Sequence, residues 1–144
     1  MSTAEPHEQA SEERVHAPRV LVYSDDVDAR QEVLLAVGRR LGRGAPDIAW
    51  TEAASPAAVI AEASTGTYDL LILDGEARKT GGMAVSRQLK DEVYNCPPVL
   101  LLTGRPQDAW LGSWSNADLV ISRPLDPEVL QRAVAGLLTA GAPA

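Results

Sequence analysis

The residues of this chain that could carry out chemistry are carboxylates, a hydroxyl and an arginine, and each follows a short apolar run. Asp25 and Asp26 follow RVLVYS, Asp74 ends YDLLILD, Thr103 ends PPVLLLT, and Arg123 follows DLVIS. Clustered carboxylates repel one another unless a cation shares them, and a site built from oxygen ligands favours Mg²⁺. A carboxylate held beside a metal can attack phosphorus and form an aspartyl phosphate. These residue types therefore indicate metal-assisted phosphoryl transfer.

The apolar runs are typical of buried parallel strands, and segments with helical periodicity separate them. Strands are predicted at 19–24, 47–53, 68–74, 97–103 and 118–122, and helices at 27–41, from Ser55 and Pro56 onward, at 82–93, at 106–115 and from Asp126 onward. Five strands alternating with five helices predict an α/β fold with helices on both faces of a parallel sheet. Because ligands bind at the carboxyl ends of such strands, the chemical residues should share one edge.

Composition excludes several classes of protein. The chain has 144 residues, enough for one domain, and its net charge of -7 argues against binding to nucleic acid. No apolar stretch is long enough to span a membrane and no signal segment opens the chain, so a cytoplasmic protein without membrane contact is expected. Residues 1–17 are polar and acidic and are predicted to form a disordered tail, with a domain at 18–140 and a short C-terminal tail at 141–144.

Histidine and cysteine are too scarce for several kinds of catalytic site. Cys96 is the single cysteine, and His7 and His16 both lie in the predicted tail. An intramolecular disulfide is therefore excluded, as is a cysteine-rich zinc site. A Ser-His-Asp triad or a histidine metal site in the folded part is not expected either. The sequence therefore argues against most kinds of hydrolase site.

With these residues in this order, the chain resembles the receiver domain of bacterial two-component response regulators over about residues 19–140. The acidic site after the first strand and Asp74 after the third carry the resemblance, together with Gly82 eight positions later. LLLTG at the end of the fourth strand and Arg123-Pro124 after the fifth complete it. The resemblance implies a flavodoxin-like, doubly wound sheet of five parallel strands in the order 2-1-3-4-5, with five helices.

The resemblance also assigns a role to each site residue. Asp74 would be the phosphoacceptor, and Thr103 the hydroxyl that follows the phosphoryl group. Asp25 and Asp74 would bind Mg²⁺, with the backbone carbonyl of Glu76 as the remaining protein ligand. A histidine kinase or another phosphodonor would be the partner in a phosphorelay, so the chain would not be an enzyme beyond self-catalysed phosphoryl transfer to Asp74. Two further residues are possible contributors to the site: Asp26 and Ser24.

The chain departs from the family pattern at several positions. Ser24 stands where the family has an acid, Arg123 replaces the family lysine, and Val120 replaces the aromatic switch residue. Ala77 and Arg78 stand in place of a Met-Pro pair. An arginine is longer and planar, and it stays charged, so it does not simply substitute for lysine. We therefore expect an atypical receiver, either phosphorylated at Asp74 or acting without phosphorylation as a pseudo-receiver that binds proteins.

Simpler interpretations of the same residues stay open. Asp25 or Asp26 would serve as the N-cap of the first helix, with Asp26 the better candidate. Asp74 would be an ordinary strand-end residue that caps the next loop, Thr103 would bond its own loop, and Arg123 would be a salt-bridge partner of Asp74 in a site that binds nothing. Gly82 would merely begin a helix. An alternative function is a flavodoxin-like domain that binds a small molecule or nucleotide, but no G-x-G-x-x-G follows the first strand and GRRLGRG ends a helix.

The predicted fourth helix suggests where a signal would leave the protein. Its sequence PQDAWLGSW places Trp110 and Trp114 four residues apart, on one helical face. Tryptophan is enriched at interface hot spots, although both rings could instead fill the core. Receivers commonly signal through the face made by the fourth helix, fifth strand and fifth helix. We therefore expect an output protein or a second copy to bind there, and no output domain fits after residue 140, so a stand-alone regulator is expected.

Overall fold

The computed structural model describes residues 17–76, 81–105 and 115–140. Five parallel strands form one sheet in the order β2-β1-β3-β4-β5, which confirms the predicted topology. The strands are β1 (Arg19–Tyr23), β2 (Ala49–Ala53), β3 (Leu70–Asp74), β4 (Val99–Thr103) and β5 (Leu119–Ser122). β1 pairs with β3 on one side and with β2 on the other. This arrangement opens a crevice at the carboxyl ends of β1 and β3, where ligands bind in such sheets.

Four helices are described: α1 (Val27–Val37), α2 (Pro56–Ala63), α3 (Gly82–Glu92) and a C-terminal helix (Pro127–Ala140). The fourth helix predicted at 106–115 lies outside the described residues, except for Ser115. The tails predicted at 1–17 and 141–144 also lie outside them, apart from Ala17. No helix in the described part of the chain is long and apolar enough to cross a membrane.

Three helices begin at the capping residues that the sequence predicted. Asp26 Oδ1 accepts a hydrogen bond of 2.9 Å from the backbone N–H two residues later, and Asp126 Oδ1 does the same at the C-terminal helix. Ser55 Oγ accepts a hydrogen bond of 3.2 Å from the backbone N–H of Ala58, and Pro56 occupies the first turn of α2. Each side chain satisfies a backbone donor that the helix leaves unpaired. The capping role of Asp26 is thus confirmed.

The first helix ends earlier than predicted. The sequence prediction extended it to residue 41, but α1 ends at Val37. Gly38 adopts φ 89°, which favours glycine, and its N–H donates to the Leu34 carbonyl at 2.9 Å. Leu41 still packs against the core from the following loop. Its apolar spacing therefore indicated burial, and the prediction that it extended the helix was wrong.

Side chains alternate along β1 and divide the core into two layers. Val20 and Val22 pack on the side covered by α1 and the C-terminal helix, whereas Leu21 and Tyr23 pack on the side covered by α2 and α3. Every residue of β3 and β4 is buried. Such strands, buried on both faces, are typical of a parallel sheet between two helical layers. The buried strands hold their carboxyl ends rigidly, and the polar residues lie there.

Candidate functional site

The predicted site residues gather at the carboxyl edge of the sheet. Asp74 is the last residue of β3 and Thr103 is the last residue of β4, and both are buried. Arg123 follows β5, and its backbone N–H donates to the Thr103 carbonyl at 2.9 Å. Ser24 follows β1 and is 1% exposed. The topology thus brings together residues that are far apart in the sequence.

Asp74 and Arg123 line an open cleft of about 630 Å³. Six acidic side chains line it, and Arg123 is the single basic residue among the described lining residues; the acids are Asp25, Asp26, Asp28, Glu32, Asp74 and Glu76. Carboxylates at this density repel one another, and a cation that shares them relieves the repulsion. The charge of the cleft therefore favours a bound cation.

Asp74 is held by three donors from three different segments. Ser24 Oγ donates to Asp74 Oδ2 at 2.8 Å, and the backbone N–H of Glu76 donates to Oδ1 at 2.9 Å. Nη1 of Arg123 lies 3.4 Å from the same Oδ1. A buried carboxylate needs such partners because it has lost most of its water. The three contacts fix the plane of the carboxylate as well as compensating for its burial.

Arg123 also contacts a carboxylate that the sequence analysis missed. Its Nε lies 3.7 Å from Glu32 Oε1 on α1, and its side chain is 22% exposed. One guanidinium therefore links α1 to the end of β3. A signal was present, because Asp28 and Glu32 are four residues apart and so lie on one helical face.

Ser24 was predicted only as a possible contributor, and the structure places it directly on Asp74. Its hydroxyl donates to Asp74 and also accepts from the backbone N–H of Asp26 at 3.1 Å. A neutral donor therefore stands at the position where the family has an acid. The exchange replaces a repulsive contact with an attractive one, and it leaves the site with one carboxylate fewer.

Thr103 lies at the end of β4, and its hydroxyl contacts β5. Thr103 Oγ1 lies 3.0 Å from Ser122 Oγ and 3.4 Å from the carbonyl oxygen of Arg105. Ser122 was missed by sequence analysis. Its signal was the register of the sheet, since Thr103 pairs with Ser122 across β4 and β5. The contact with the Arg105 carbonyl agrees with the simpler interpretation, in which Thr103 bonds its own loop.

Gly82 packs directly on the backbone of Asp74. A Cβ at Gly82 would lie 2.8 Å from both the carbonyl carbon and the carbonyl oxygen of Asp74, and 2.9 Å from Leu73 Cβ. Real side chains do not approach backbone atoms this closely. The glycine eight residues after Asp74 is therefore required by close packing at the site, and it does more than begin α3.

The pKa of Tyr23 depends on the charges of the site. Burial raises the pKa of this fully buried tyrosine above its ordinary value, and the charges of Asp25 and Asp74 raise it further. Negative charge near a phenol favours its neutral form. Both carboxylates therefore affect the pKa of Tyr23, which agrees with their position in one cleft.

The donor set fits Mg²⁺. No group of three or more histidine, cysteine, aspartate or glutamate side chains in residues 17–76, 81–105 and 115–140 forms a ready-made metal site. Magnesium requires less, because it usually keeps several waters and binds one or two carboxylates. Asp25 and Asp74 line the same cleft as Glu76, whose side chain accepts from the Gly104 N–H at 3.3 Å.

Two predicted interface residues, Trp110 and Trp114, lie outside the described residues.

Comparison with known proteins gives close relatives. No family model matches the chain. Two curated relatives, uncharacterized response regulatory proteins from two strains of Mycobacterium tuberculosis, are each 52% identical over 126 residues. The match covers 88% of this chain and 95% of each relative.

Solved structures share the fold at lower identity. The receiver domain of a Francisella response regulator has a TM-score of 0.72 at 21% identity and covers 87% of this chain and 99% of its own. A chemotaxis protein from Vibrio cholerae, CheY4, has a TM-score of 0.68 at 22% identity, with 85% of this chain and 99% of its own covered. The strand order and these similarities confirm the predicted flavodoxin-like fold.

Proposed function

This chain belongs to the response regulator family, and from that premise we propose that Asp74 is its phosphoacceptor. The observation that carries the proposal is the setting of Asp74. It is a carboxylate at the carboxyl end of β3, 5% exposed, and it lines an acidic cleft beside a guanidinium. Family membership makes the chain a signalling protein of two-component systems. Phosphorylation at this position would be its input.

The residues of the cleft are suited to phosphoryl transfer. An oxygen of Asp74 attacks phosphorus, a new O–P bond forms, and the bond to the leaving group breaks with its electron pair. Mg²⁺ bound by Asp25, Asp74 and the Glu76 backbone carbonyl would supply charge neutralisation. Ser24 and the Glu76 N–H keep the attacking carboxylate in one plane.

Arg123 supplies the fixed cation of the proposed reaction. Its guanidinium lies 3.4 Å from Asp74 and can donate two parallel hydrogen bonds to phosphoryl oxygens. A lysine would offer a point charge at the same place. The arginine therefore provides the charge that the reaction needs with a different geometry. The donor would be the phosphohistidine of a histidine kinase or a small acyl phosphate, in a phosphorelay.

A second candidate is signalling without phosphorylation. It is favoured by one specific observation, that Ser24, the Glu76 N–H and Arg123 already satisfy Asp74 without a metal. In that case the Arg123–Asp74 pair would be permanent. The protein would then act by binding a partner without any change at Asp74.

The output surface is proposed at the face made by residues 106–115, β5 and the C-terminal helix. Leu119 on β5 is 38% exposed and Val129 on the C-terminal helix is 46% exposed. Charged residues are depleted at the centre of binding surfaces, so two exposed apolar side chains are compatible with such a surface. The partner would be a second copy or an output protein, anchored by Trp110 or Trp114. Substituting either tryptophan by a polar residue should abolish the association with the fold intact, whereas unfolding of both variants would place them in the core.

The phosphoacceptor is tested by intact-mass analysis after incubation with Mg²⁺ and a small acyl phosphate. The wild type should gain one phosphoryl group and Asp74→Asn none. Asp91→Asn, at an exposed position on α3, is the matched control and should behave as wild type. An equal adduct on Asp74→Asn would contradict the proposal. No adduct on the wild type, with a kinase or with a small donor, would favour the second candidate.

A further inference from the structure

Two hydroxyls meet behind the proposed phosphoacceptor site. Thr103 and Ser122 are paired across β4 and β5, and their Oγ atoms lie 3.0 Å apart. Each hydroxyl also lies 3.4 Å from the carbonyl oxygen of Arg105. Thr103 is fully buried, so water does not replace these partners easily. The three groups form a closed triangle.

The hydrogens of this triangle can be counted. Each hydroxyl has one hydrogen to donate, and the carbonyl has none. If Thr103 donates to Ser122, then Ser122 donates to the Arg105 carbonyl. If Ser122 donates to Thr103, then Thr103 donates to that carbonyl. In both arrangements the hydrogen of Thr103 is used within the triangle, so Thr103 must leave one contact before it can donate to another acceptor.

We propose that Ser122 is a positioning residue that holds the Thr103 hydroxyl toward β5 while Asp74 is unphosphorylated. This inference rests on the proposed function, in which Thr103 donates to the phosphoryl group on Asp74. When Thr103 turns to the phosphoryl group, Ser122 can donate its hydrogen to the Arg105 carbonyl. Occupancy of the Asp74 site is thereby coupled to the loop after β4.

The pair also links Thr103 to β5 by a route that needs no aromatic ring. Val120 stands at the position of the family's aromatic switch residue. Its side chain has no polar atom and packs against the core. Ser122 lies two residues further along β5, directly opposite Thr103. A hydroxyl contact across the two strands therefore supplies a connection that Val120 lacks.

The inference is tested by titrating the protein with beryllium fluoride, a phosphoryl mimic, in the presence of Mg²⁺. Binding is followed through the NMR signals of the Gly104 and Arg105 amides. Ser122→Ala removes the nearer of the two partners that compete for Thr103 and leaves only the Arg105 carbonyl at 3.4 Å, so affinity for the mimic should rise by about twofold to tenfold, the range of one net hydrogen bond. Ser122→Thr keeps a hydroxyl and should restore the wild-type affinity.

Two further variants separate positioning from a general change in stability. In a Thr103→Val background, Ser122→Ala should have no effect on affinity, because the hydroxyl that it releases is gone. Ser86→Ala removes another buried serine hydroxyl, which donates to the Ser115 carbonyl at 2.9 Å, and should leave affinity unchanged.

The outcomes distinguish the two claims. A wild type that binds no beryllium fluoride overturns the proposed function and the role of Ser122 with it. A wild type that binds, with Ser122→Ala unchanged or weaker, overturns only the role of Ser122. The same gain in the Thr103→Val background also overturns it. A gain that requires Thr103 and is reversed by Ser122→Thr supports it.

Discussion

The guanidinium of Arg123 lies between two carboxylates, 3.4 Å from Asp74 Oδ1 and 3.7 Å from Glu32 Oε1. One cation therefore joins the loop after β5 to both α1 and β3. Neither contact is a short hydrogen bond, so the guanidinium can move toward a new acceptor at modest cost. Arg123 and Asp74 are in contact in the described structure, and under the proposed function the guanidinium would also supply charge for a phosphoryl group.

Removal of Arg123 should destabilise the protein in a way that Mg²⁺ reverses. Arg123→Ala leaves Asp74 without its cation while Asp25, Glu32 and Glu76 stay nearby. The free energy of unfolding should fall by about 1–2 kcal/mol in urea titrations without metal. Added Mg²⁺ should restore most of this loss, because a bound cation replaces the guanidinium.

A surface arginine provides the control for that measurement. Arg132 pairs with Glu128 at 3.4 Å, but both side chains are exposed. Arg132→Ala should change stability by less than about 0.5 kcal/mol, with or without Mg²⁺. If Arg123→Ala matches this control, Arg123 is not a permanent partner of Asp74.

Restoring an acid at position 24 should exchange stability for metal affinity. Ser24→Asp removes the 2.8 Å hydrogen bond to Asp74 and places a second negative charge there. Without metal, the variant should be less stable than Ser24→Asn, which has the same size and no charge. Its affinity for Mg²⁺, measured by calorimetry, should exceed that of the wild type several-fold. Equal affinity in all three proteins would show that residue 24 lies outside the metal site.

Gly82 and Gly136 should respond to alanine in opposite directions. Gly82→Ala forces a Cβ against the Asp74 backbone and should cost about 1–3 kcal/mol of stability. Gly136 lies in the C-terminal helix with open space around it, so Gly136→Ala should stabilise by about 0.5–1 kcal/mol. Thermal unfolding of both variants measures the contrast. A harmless Gly82→Ala would mean that α3 does not pack on the site as described.

Tyr23 gives a pH-dependent test of the carboxylate positions. Its pKa is raised by burial, Asp25 and Asp74, so the folded protein retains the phenolic proton more tightly than the unfolded chain does. Stability from this source is complete below about pH 10 and is lost as pH rises through the folded pKa.

Neutralising Asp74 should weaken that effect selectively. Asp74→Asn removes one charge and should lower the pKa of Tyr23 in an NMR titration of the tyrosine rings. The pKa of Tyr68 is raised mainly by burial and responds to Thr51, Glu62 and Arg19, so it should not move. A Tyr23 pKa that is the same in both proteins would place Asp74 too far from Tyr23 to act on it.

Residues with a periodic or local signal were predictable from the sequence. Asp74 follows an unbroken apolar run, and the caps at Asp26 and Ser55 precede helical periodicity. Parallel strands alternating with helices then fixed which edge would hold Asp25, Thr103 and the other polar residues. These signals depend on a few neighbouring residues and on rules of topology.

Contacts made across elements had at most an indirect signal in the sequence. Ser24 on Asp74, Glu32 on Arg123 and Ser122 on Thr103 depend on sheet register and side-chain rotamers, which periodicity does not encode. The end of α1 was misplaced for a related reason, because apolar spacing continued through Leu41 after Gly38 had ended the helix.

The central claim is that Asp74 forms an aspartyl phosphate, and reductive trapping tests it most directly. Borohydride converts an aspartyl phosphate to homoserine, which tandem mass spectrometry locates in the sequence. After incubation with Mg²⁺ and a small acyl phosphate, we expect homoserine at position 74 of the wild type and none in samples without the donor. Homoserine at Asp25 or Asp26 instead, or none under conditions that modify a known receiver, would contradict the account.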